Sequence, residues 1–338
     1  MIKKNVFACI SGILFILFGC ASNPKDKVAY EQKSPDCGVL SFAEVWAWVC
    51  QGREKYYSPD FPLTDVCYFS ANVGTYGELI DIPKKKNLES TNARTHLVVV
   101  CEGRALTHFV LDPQFGLTDK LVDDILKAGA DFDGIQIDFE NIPARDYDNF
   151  FAFLKKVSFR SAEAGKIFTV CVPARIKTLK EDAFPYQKIA SISDRVIIMA
   201  YDEHWSTSKP GPIASYEWCE KIADYSVSVL PKEKLVMGLP FYGRSWEDEN
   251  LATARSFRST NELFAAREVS DVRYVNTIPM AEFVTTQKVT YWFEDYYSTV
   301  KKLLLYGSKD ISKVAFWRIG LEDSETWNWI KITETQKD

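Results

Sequence analysis

Residues 131–141 read "DFDGIQIDFEN". Four carboxylates, Asp131, Asp133, Asp138 and Glu140, are threaded through Phe132, Ile135, Ile137 and Phe139. Apolar residues at alternate positions predict a strand, because successive side chains point to opposite faces. Gln136, Asp138 and Glu140 then share one face, each step about 6.5–7 Å along the strand. A carboxylate is costly to bury unless it is hydrogen-bonded or holds a useful proton. The stretch therefore implies either a hydrogen-bond network at a strand end or a working set of acids.

Seven further runs read as strands: 43–49, 65–73, 96–102, 167–174, 195–202, 234–243 and 313–320. Several are nearly continuous apolar runs, as strands covered on both faces should be. Amphipathic helical stretches lie at 119–129, 145–163, 214–228 and 293–306. Strand alternating with helix predicts a parallel sheet, and eight units in one domain favour a closed (β/α)8 TIM barrel over residues 39–330. Glu140 falls at the carboxyl end of its strand, the face on which barrel active sites are built. Before the last helix, "RSTNELFAARE" (258–268) reads as helical and "VRYVNTIPMAEFVTTQKVTYWFED" as short strands. The latter gives a small insertion at about 266–292, between strands 7 and 8. With about 25–30 residues for a wall, by ordinary element lengths, a shallow, open cleft is expected.

The first 20 residues read as a targeting segment. Lys3 and Lys4 precede an apolar run, Val6 to Phe18, shorter than the roughly 20 residues of a membrane span. "LFGC" then resembles a bacterial lipoprotein signal, which implies cleavage before Cys20 and a lipid on its thiol. A plain signal peptide or an uncleaved anchor is the alternative. Residues 21–38 are polar and read as a tether. The expected location is the bacterial cell envelope, periplasmic or surface-exposed, with the chain held to the membrane through Cys20. A monomer is expected.

With a net charge of −5 and no basic cluster, no nucleic-acid partner is expected. Of the cysteines beyond Cys20, Cys67, Cys101 and Cys171 lie in apolar runs and read as small buried hydrophobes, while Cys37, Cys50 and Cys219 give no pairing. No CxxC or Cys/His cluster is present, and His96, His108 and His204 show no metal spacing. Neither a metal nor a cofactor is expected, since no phosphate-binding or dinucleotide fingerprint occurs.

"DGIQIDFE" (133–140) resembles the DGxDxDxE signature of the family 18 glycoside hydrolases, the chitinase family. Asp133, Gly134, Asp138 and Glu140 match, and Gln136 replaces an Asp. "MAYD" (199–202), "KLVMGLPFYGRSW" (234–246) and "VAFWRIG" (314–320) look like the family's sixth, seventh and eighth strands. The resemblance covers about residues 40–325. "DFEN", "KPGPIAS" (209–215) and "YWFED" (291–295) look like bacterial members acting on cell-wall or spore-cortex glycan, in which the position of Gln136 is often an amide.

The resemblance implies retaining hydrolysis assisted by the substrate, one of the exceptions to the two-carboxylate rule. Glu140 would be the acid, Asp138 would hold the substrate's acetamido N–H, and Tyr201 would bond the acetamido oxygen. Gln136 can donate an amide N–H and is expected to hold Asp138 ionised. Asp131 and Asp133 read as serving turn and strand-entry geometry, with Asp133 the closer to the ladder as a supporting residue. Trp317 reads as a stacking floor for a sugar ring or as barrel core. Asp202 either supports the sugar hydroxyls or caps a loop, and Tyr242 and Arg244, with Trp205, Trp246 and Trp292, either line the cleft or pack the outer loops. The substrate implied is a β-1,4-linked N-acetylglucosamine glycan related to peptidoglycan. Chitin oligomers, or glycan binding without catalysis, remain the alternatives; a surface adhesin or scaffold has no feature in its favour.

Overall fold

The structure is a computed structural model that describes residues 28–88, 91–248 and 250–333. The expected signal segment and Cys20 lie outside the described residues. In the strand Gly134–Phe139 every residue is buried, and its alternation sorts two kinds of contact. Phe139 stacks on Phe153 and Phe150 of the helix Tyr147–Glu163, with ring centres 5.3 and 6.1 Å away. The opposite face turns into a closed barrel. The apolar half of the strand thus binds the helix layer, and the polar half points into the lumen.

Eight parallel strands make that barrel: β1 (Glu44–Cys50), β2 (Asp65–Val73), β3 (Arg94–Cys101), β4 (Gly134–Phe139), β5 (Ile167–Pro173), β6 (Arg195–Met199), β7 (Leu235–Pro240) and β8 (Lys313–Trp317). Each pairs with the next, and β8 returns to β1 with Lys313 opposite Glu44, so the sheet has no free edge. The helices Thr118–Ala128, Tyr147–Glu163, Tyr216–Val229 and Tyr296–Ser308 match the expected amphipathic stretches. The starts of the last two are set by side chains that satisfy free backbone N–H groups. Ser215 accepts from the Trp218 N–H, and Asp295 with Ser298 forms a capping box.

Two hydrophobic layers result. The larger lies between strands and helices; the smaller fills the lumen with Trp46, Trp48, Cys67, Val98, Val100, Cys171, Ile197, Val236 and Ala315. All six cysteines from Cys37 onward are free thiols, with Cys67, Cys101, Cys171 and Cys219 buried. Among the described residues no helix is long and apolar enough to cross a membrane.

The amino end of the barrel is sealed by ions. Asp65 is fully buried and takes two bonds from Arg94, at 2.8 and 2.7 Å, and one to His96 at 2.7 Å. Glu44 is forked by Arg195 and receives the Trp46 indole N–H at 2.9 Å. Burial alone would raise both carboxyls, but these partners outweigh it and hold them below their usual range. Gly134 is required here: a Cβ would stand 2.2 Å from His96 Nδ1.

Two boundaries differ from expectation. The insertion is a five-stranded antiparallel sheet running from Tyr242 to Trp292, roughly twice the expected 266–292. Strands Tyr242–Glu247 and Thr253–Ser256 and the helix Phe257–Ala266 precede the expected segment. The helix belongs to this unit because Phe257 and Phe264 bury against Ala281, Val289 and Tyr291 of the sheet. The wall is therefore longer than the short one that implied a shallow, open cleft. The expected tether at 21–38 is also not free throughout. Tyr30 is buried against the same cluster and its hydroxyl meets Asp295 at 3.1 Å, while Gln32 donates to Asp323 at 2.7 Å.

Candidate active site

At the carboxyl end of the barrel the sequence ladder becomes three levels. Gln136 is deepest and fully buried. The Trp48 indole N–H donates to its Oε1 at 2.7 Å, which orients the amide. Its Nε2 then faces Thr169 Oγ1 at 3.2 Å and Cys67 Sγ at 3.3 Å. Both N–H groups are thereby engaged, so the expected bond from Gln136 to Asp138 is not made. The reason is length: the amide reaches sideways to β1, β2 and β5 at its own level rather than up the strand.

Asp138, the middle level, is 6% exposed, and its Oδ1 has no hydrogen-bond partner among the described residues. Burial first, and then the neighbouring Glu140, push its carboxyl up to about 7, which the thiol of Cys171 partly offsets. Glu140 follows the last residue of β4 and is open to solvent at the rim. The walls around it still displace enough water to raise its carboxyl, with Asp202 and Glu102 adding to the rise. Both acids on this strand end are thus pushed toward their protonated forms.

Tyr201 lies just past β6 with its phenol held far above the usual range, chiefly by burial, so it stays an O–H donor. Gly238 on β7 makes room for it: a Cβ there would meet Ile198 O at 2.6 Å and Tyr201 Cε1 at 3.1 Å. Tyr242 packs edge-on to Tyr201, with centres 6.4 Å apart. Asp202, with φ of 61°, turns its Oδ1 to the Tyr242 hydroxyl at 2.6 Å and to Arg244 at 2.8 Å. It is therefore the hub that ties the first insertion strand to the rim of β6, and more than a loop cap. The Arg244 Nε is buried without a partner among the described residues.

Trp317 ends β8 half-buried and packs against the barrel core, the second of its expected readings. Its ring meets Phe69 at 4.8 Å and Trp48 at 5.7 Å, both edge-on, and it also touches the cluster of Tyr201, Tyr242 and Trp292. It roofs the lumen core and links it to the aromatic cluster at the rim. Trp246 is fully buried and its indole holds Ser208 O at 3.0 Å, so it braces the β6 loop rather than lining the cleft. Trp205 is exposed.

Asp133 does not belong to this group. It sits at the start of β4, where Oδ2 takes the Thr95 N–H at 2.7 Å and hydroxyl at 2.8 Å, with Lys85 3.4 Å away. Burial would raise it, but those bonds hold it low. A cavity of about 400 Å³ lined by Lys85, Arg94, Thr95 and Asp133 opens there, a strand length of about 20 Å from Glu140. Among the described residues one group has the spacing to hold an ion: His108, Asp112 and Asp146, contrary to the expectation for His108. Its donors are already in use. Asp146 takes His108 Nδ1 at 2.9 Å and Asn149 at 3.1 Å, and Asp112 caps a turn through the Gln114 N–H. Trp48, Cys67, Cys171 and Glu102 are the site neighbours that sequence reasoning missed; only their strand positions, matched across the sheet, point to them.

Residues 117–322 match the pattern described as Glycosyl hydrolases family 18. The cortical fragment-lytic enzyme of Bacillus anthracis is 26% identical over 282 residues, covering 79% of this chain and 63% of that protein. The chain thus spans less than two-thirds of that curated relative. Among solved structures, the spore cortex-lytic enzyme SleL of Bacillus cereus superposes with a TM-score of 0.77 at 23% identity, covering 90% of this chain and 78% of that one. A chitinase from Chromobacterium violaceum gives 0.74 at 22% identity, covering 84% and 96%. At those identities the two structures speak for the fold, while the family pattern reaches across more than half of the chain: the chain belongs to glycosyl hydrolases family 18.

Proposed function

We propose that the protein is a retaining glycosidase that cleaves β-1,4-linked N-acetylglucosamine glycans of the peptidoglycan type with help from the substrate's own acetamido group. The observation that carries this is Asp138: a buried carboxyl with an unpartnered oxygen, one level below a protonatable Glu140 and beside the phenol of Tyr201. An orphaned buried acceptor is costly unless something fills it. An acetamido N–H supplies the missing donor.

In the first step the Glu140 proton passes to the glycosidic oxygen while the acetamido carbonyl oxygen attacks the anomeric carbon and the C1–O bond breaks. The product is an oxazolinium ion, whose N–H bonds to ionised Asp138. The Tyr201 hydroxyl donates to the acetamido oxygen and sets its angle. Water then attacks C1 from the face the leaving group vacated, Glu140 takes its proton, and configuration is retained. Trp317 offers an apolar face to the sugar ring, and Asp202, Tyr242 and Arg244 form the adjoining wall. The likeness to cortex-lytic enzymes favours peptidoglycan over chitin as the substrate. Lipidation at Cys20 would hold the enzyme at the envelope, and Cys20→Ala should release it from membranes.

The test is mass spectrometry of products from purified peptidoglycan and from chitin oligomers, wild type beside Glu140→Gln. Cleavage of peptidoglycan with N-acetylglucosamine at the new reducing end, lost in the variant, is the expected result. Binding without turnover by wild type would leave a glycan-binding protein instead.

A further inference from the structure

The ladder leaves one question of support. Gln136 spends its amide on Trp48, Thr169 and Cys67, and therefore gives nothing to Asp138. The register of β4 against β5 identifies another neighbour. Gln136 stands opposite Thr169 and Ile137 opposite Val170, so the next step sets Asp138 beside Cys171. Gln136 and Thr169 meet inside the lumen, and Cys171 is part of the lumen core one interior level higher. Strands lie about 4.8 Å apart, so side chains matched in this way and pointing inward are within contact distance. We propose that Cys171 is a positioning residue for Asp138, its S–H donating to the carboxyl that the amide below leaves unsupported.

A thiol suits this role because it is a weak donor on a small apolar body. It orients the carboxyl without pulling its pKa back to that of an exposed Asp. A hydroxyl in its place would bind the charged form more strongly; a methyl would leave the carboxyl free to turn. Burial keeps the Cys171 thiol itself protonated, so it remains a donor across the working range of the two acids. The same holds for Cys67, which takes the Gln136 N–H as an acceptor. The other groups facing Asp138 are Glu140 above it on β4, Tyr201 at the end of β6 and Cys67 on β2. Of these, Glu140 is the other acid, its carboxyl raised by burial with Asp202 and Glu102, and it is present in every variant below.

This inference rests on the catalytic role proposed for Asp138, so its test reads the carboxyl directly as well as turnover. Carbon-13 NMR titration of labelled Asp side chains in the full chain, with Asp138→Asn to assign the resonance, gives the midpoint of Asp138. Cys171→Ser should move that midpoint down by about one unit and Cys171→Ala should move it up by about half a unit, the scale of one weak hydrogen bond to a carboxylate. Cys67→Ser, which also faces Asp138 but hydrogen-bonds to Gln136, should move it less than Cys171→Ser does. The acidic limb of the kcat/KM profile should follow the same shifts. Serine is nearly isosteric, so at least that variant should fold, and its melting temperature verifies this. An unmoved midpoint in folded Cys171→Ser overturns the assignment. If wild type turns over no glycan, the proposed reaction fails, while the titration still decides what Cys171 does.

Discussion

The two ends of the barrel use the same side chains for opposite purposes. At the amino end Asp65 and Glu44 are buried, and each is held by an arginine and a second nitrogen: Arg94 and the His96 ring for one, Arg195 and the Trp46 indole for the other. Their carboxyls are held low and stay ionised. At the carboxyl end Asp138 and Glu140 have no cation as a partner among the described residues; burial and Glu140 push Asp138 up, and burial with Asp202 and Glu102 raises Glu140. Burial raises a carboxyl in both places; what differs is whether opposing charges and donors outweigh it. A paired acid is a seal and an unpaired one is a reagent, so the two ends should respond to mutation in opposite ways.

The largest effect should come from Glu140. Glu140→Gln keeps shape and removes the transferable proton, so hydrolysis should fall by at least about a hundredfold, within the range of general acid catalysis. Initial rates on the natural glycan measure this, and unchanged circular dichroism separates it from unfolding. Near-normal turnover would end the distinction between the two ends of the barrel.

At the other end, Asp65→Ala strips His96 and Arg94 of their shared acceptor. Breaking one partner of a buried ion pair costs about 3–5 kcal/mol, and the partial exposure of Arg94 places this case near the lower figure. Denaturant titration should show that loss, while kcat per folded molecule stays close to wild type. A variant that kept its stability and lost activity would make Asp65 part of the site.

Asp138→Asn should separate function from stability. The folded-state pKa of Asp138 is raised, to about 7, above an unfolded value of about 3.9. The folded chain therefore binds the proton more tightly, and stability is lost as pH rises from the unfolded value through the folded one. Asparagine cannot ionise and escapes that loss. The variant should gain up to about 2–4 kcal/mol at pH 8 relative to wild type, and the gain should shrink toward pH 4. Melting curves at both pH values, beside a loss of turnover, give the measurement. A gain that is equal at both would show that repacking, not charge, explains it.

The sequence shows the barrel because each strand is buried on both faces and so reads as an apolar run. It does not show where β7 ends, since "KLVMGLPFYG" is one run while the chain changes sheets between Pro240 and Tyr242. Hydrophobic pattern records burial and is silent about which sheet does the burying. Asp138 and Glu140 were legible through strand parity, and that same parity puts Asp133, an odd position, off the ladder. The partners of Gln136 were not legible, because Trp48, Cys67 and Thr169 come from three other strands and meet only through register. The docking of Tyr30 was hidden by the polar composition around it, which pattern reads as a tether.

The smallest effect should come from the rung below. Gln136→Glu keeps the length of the side chain, and the Trp48 indole can still donate to one carboxyl oxygen. Buried among Trp48, Cys67 and Thr169 with no cation, the new carboxyl should remain protonated around neutrality. In that state it imitates the amide, offering one acceptor and one donor, so the acidic limb of the pH–rate profile should overlie that of wild type. Above its pKa a charge appears about 6.5–7 Å beneath Asp138 along the strand. By then Asp138 is ionised, so the added charge acts on loss of the Glu140 proton, which sets the alkaline side of the profile, and should shift that side up by less than about one unit. Profiles of kcat/KM from pH 4 to pH 9 resolve the two limbs. A shift on the alkaline limb alone ties Gln136 to the site through charge; coincident profiles would reduce it to packing, and a shift on both limbs would mean that Asp138 had lost its place.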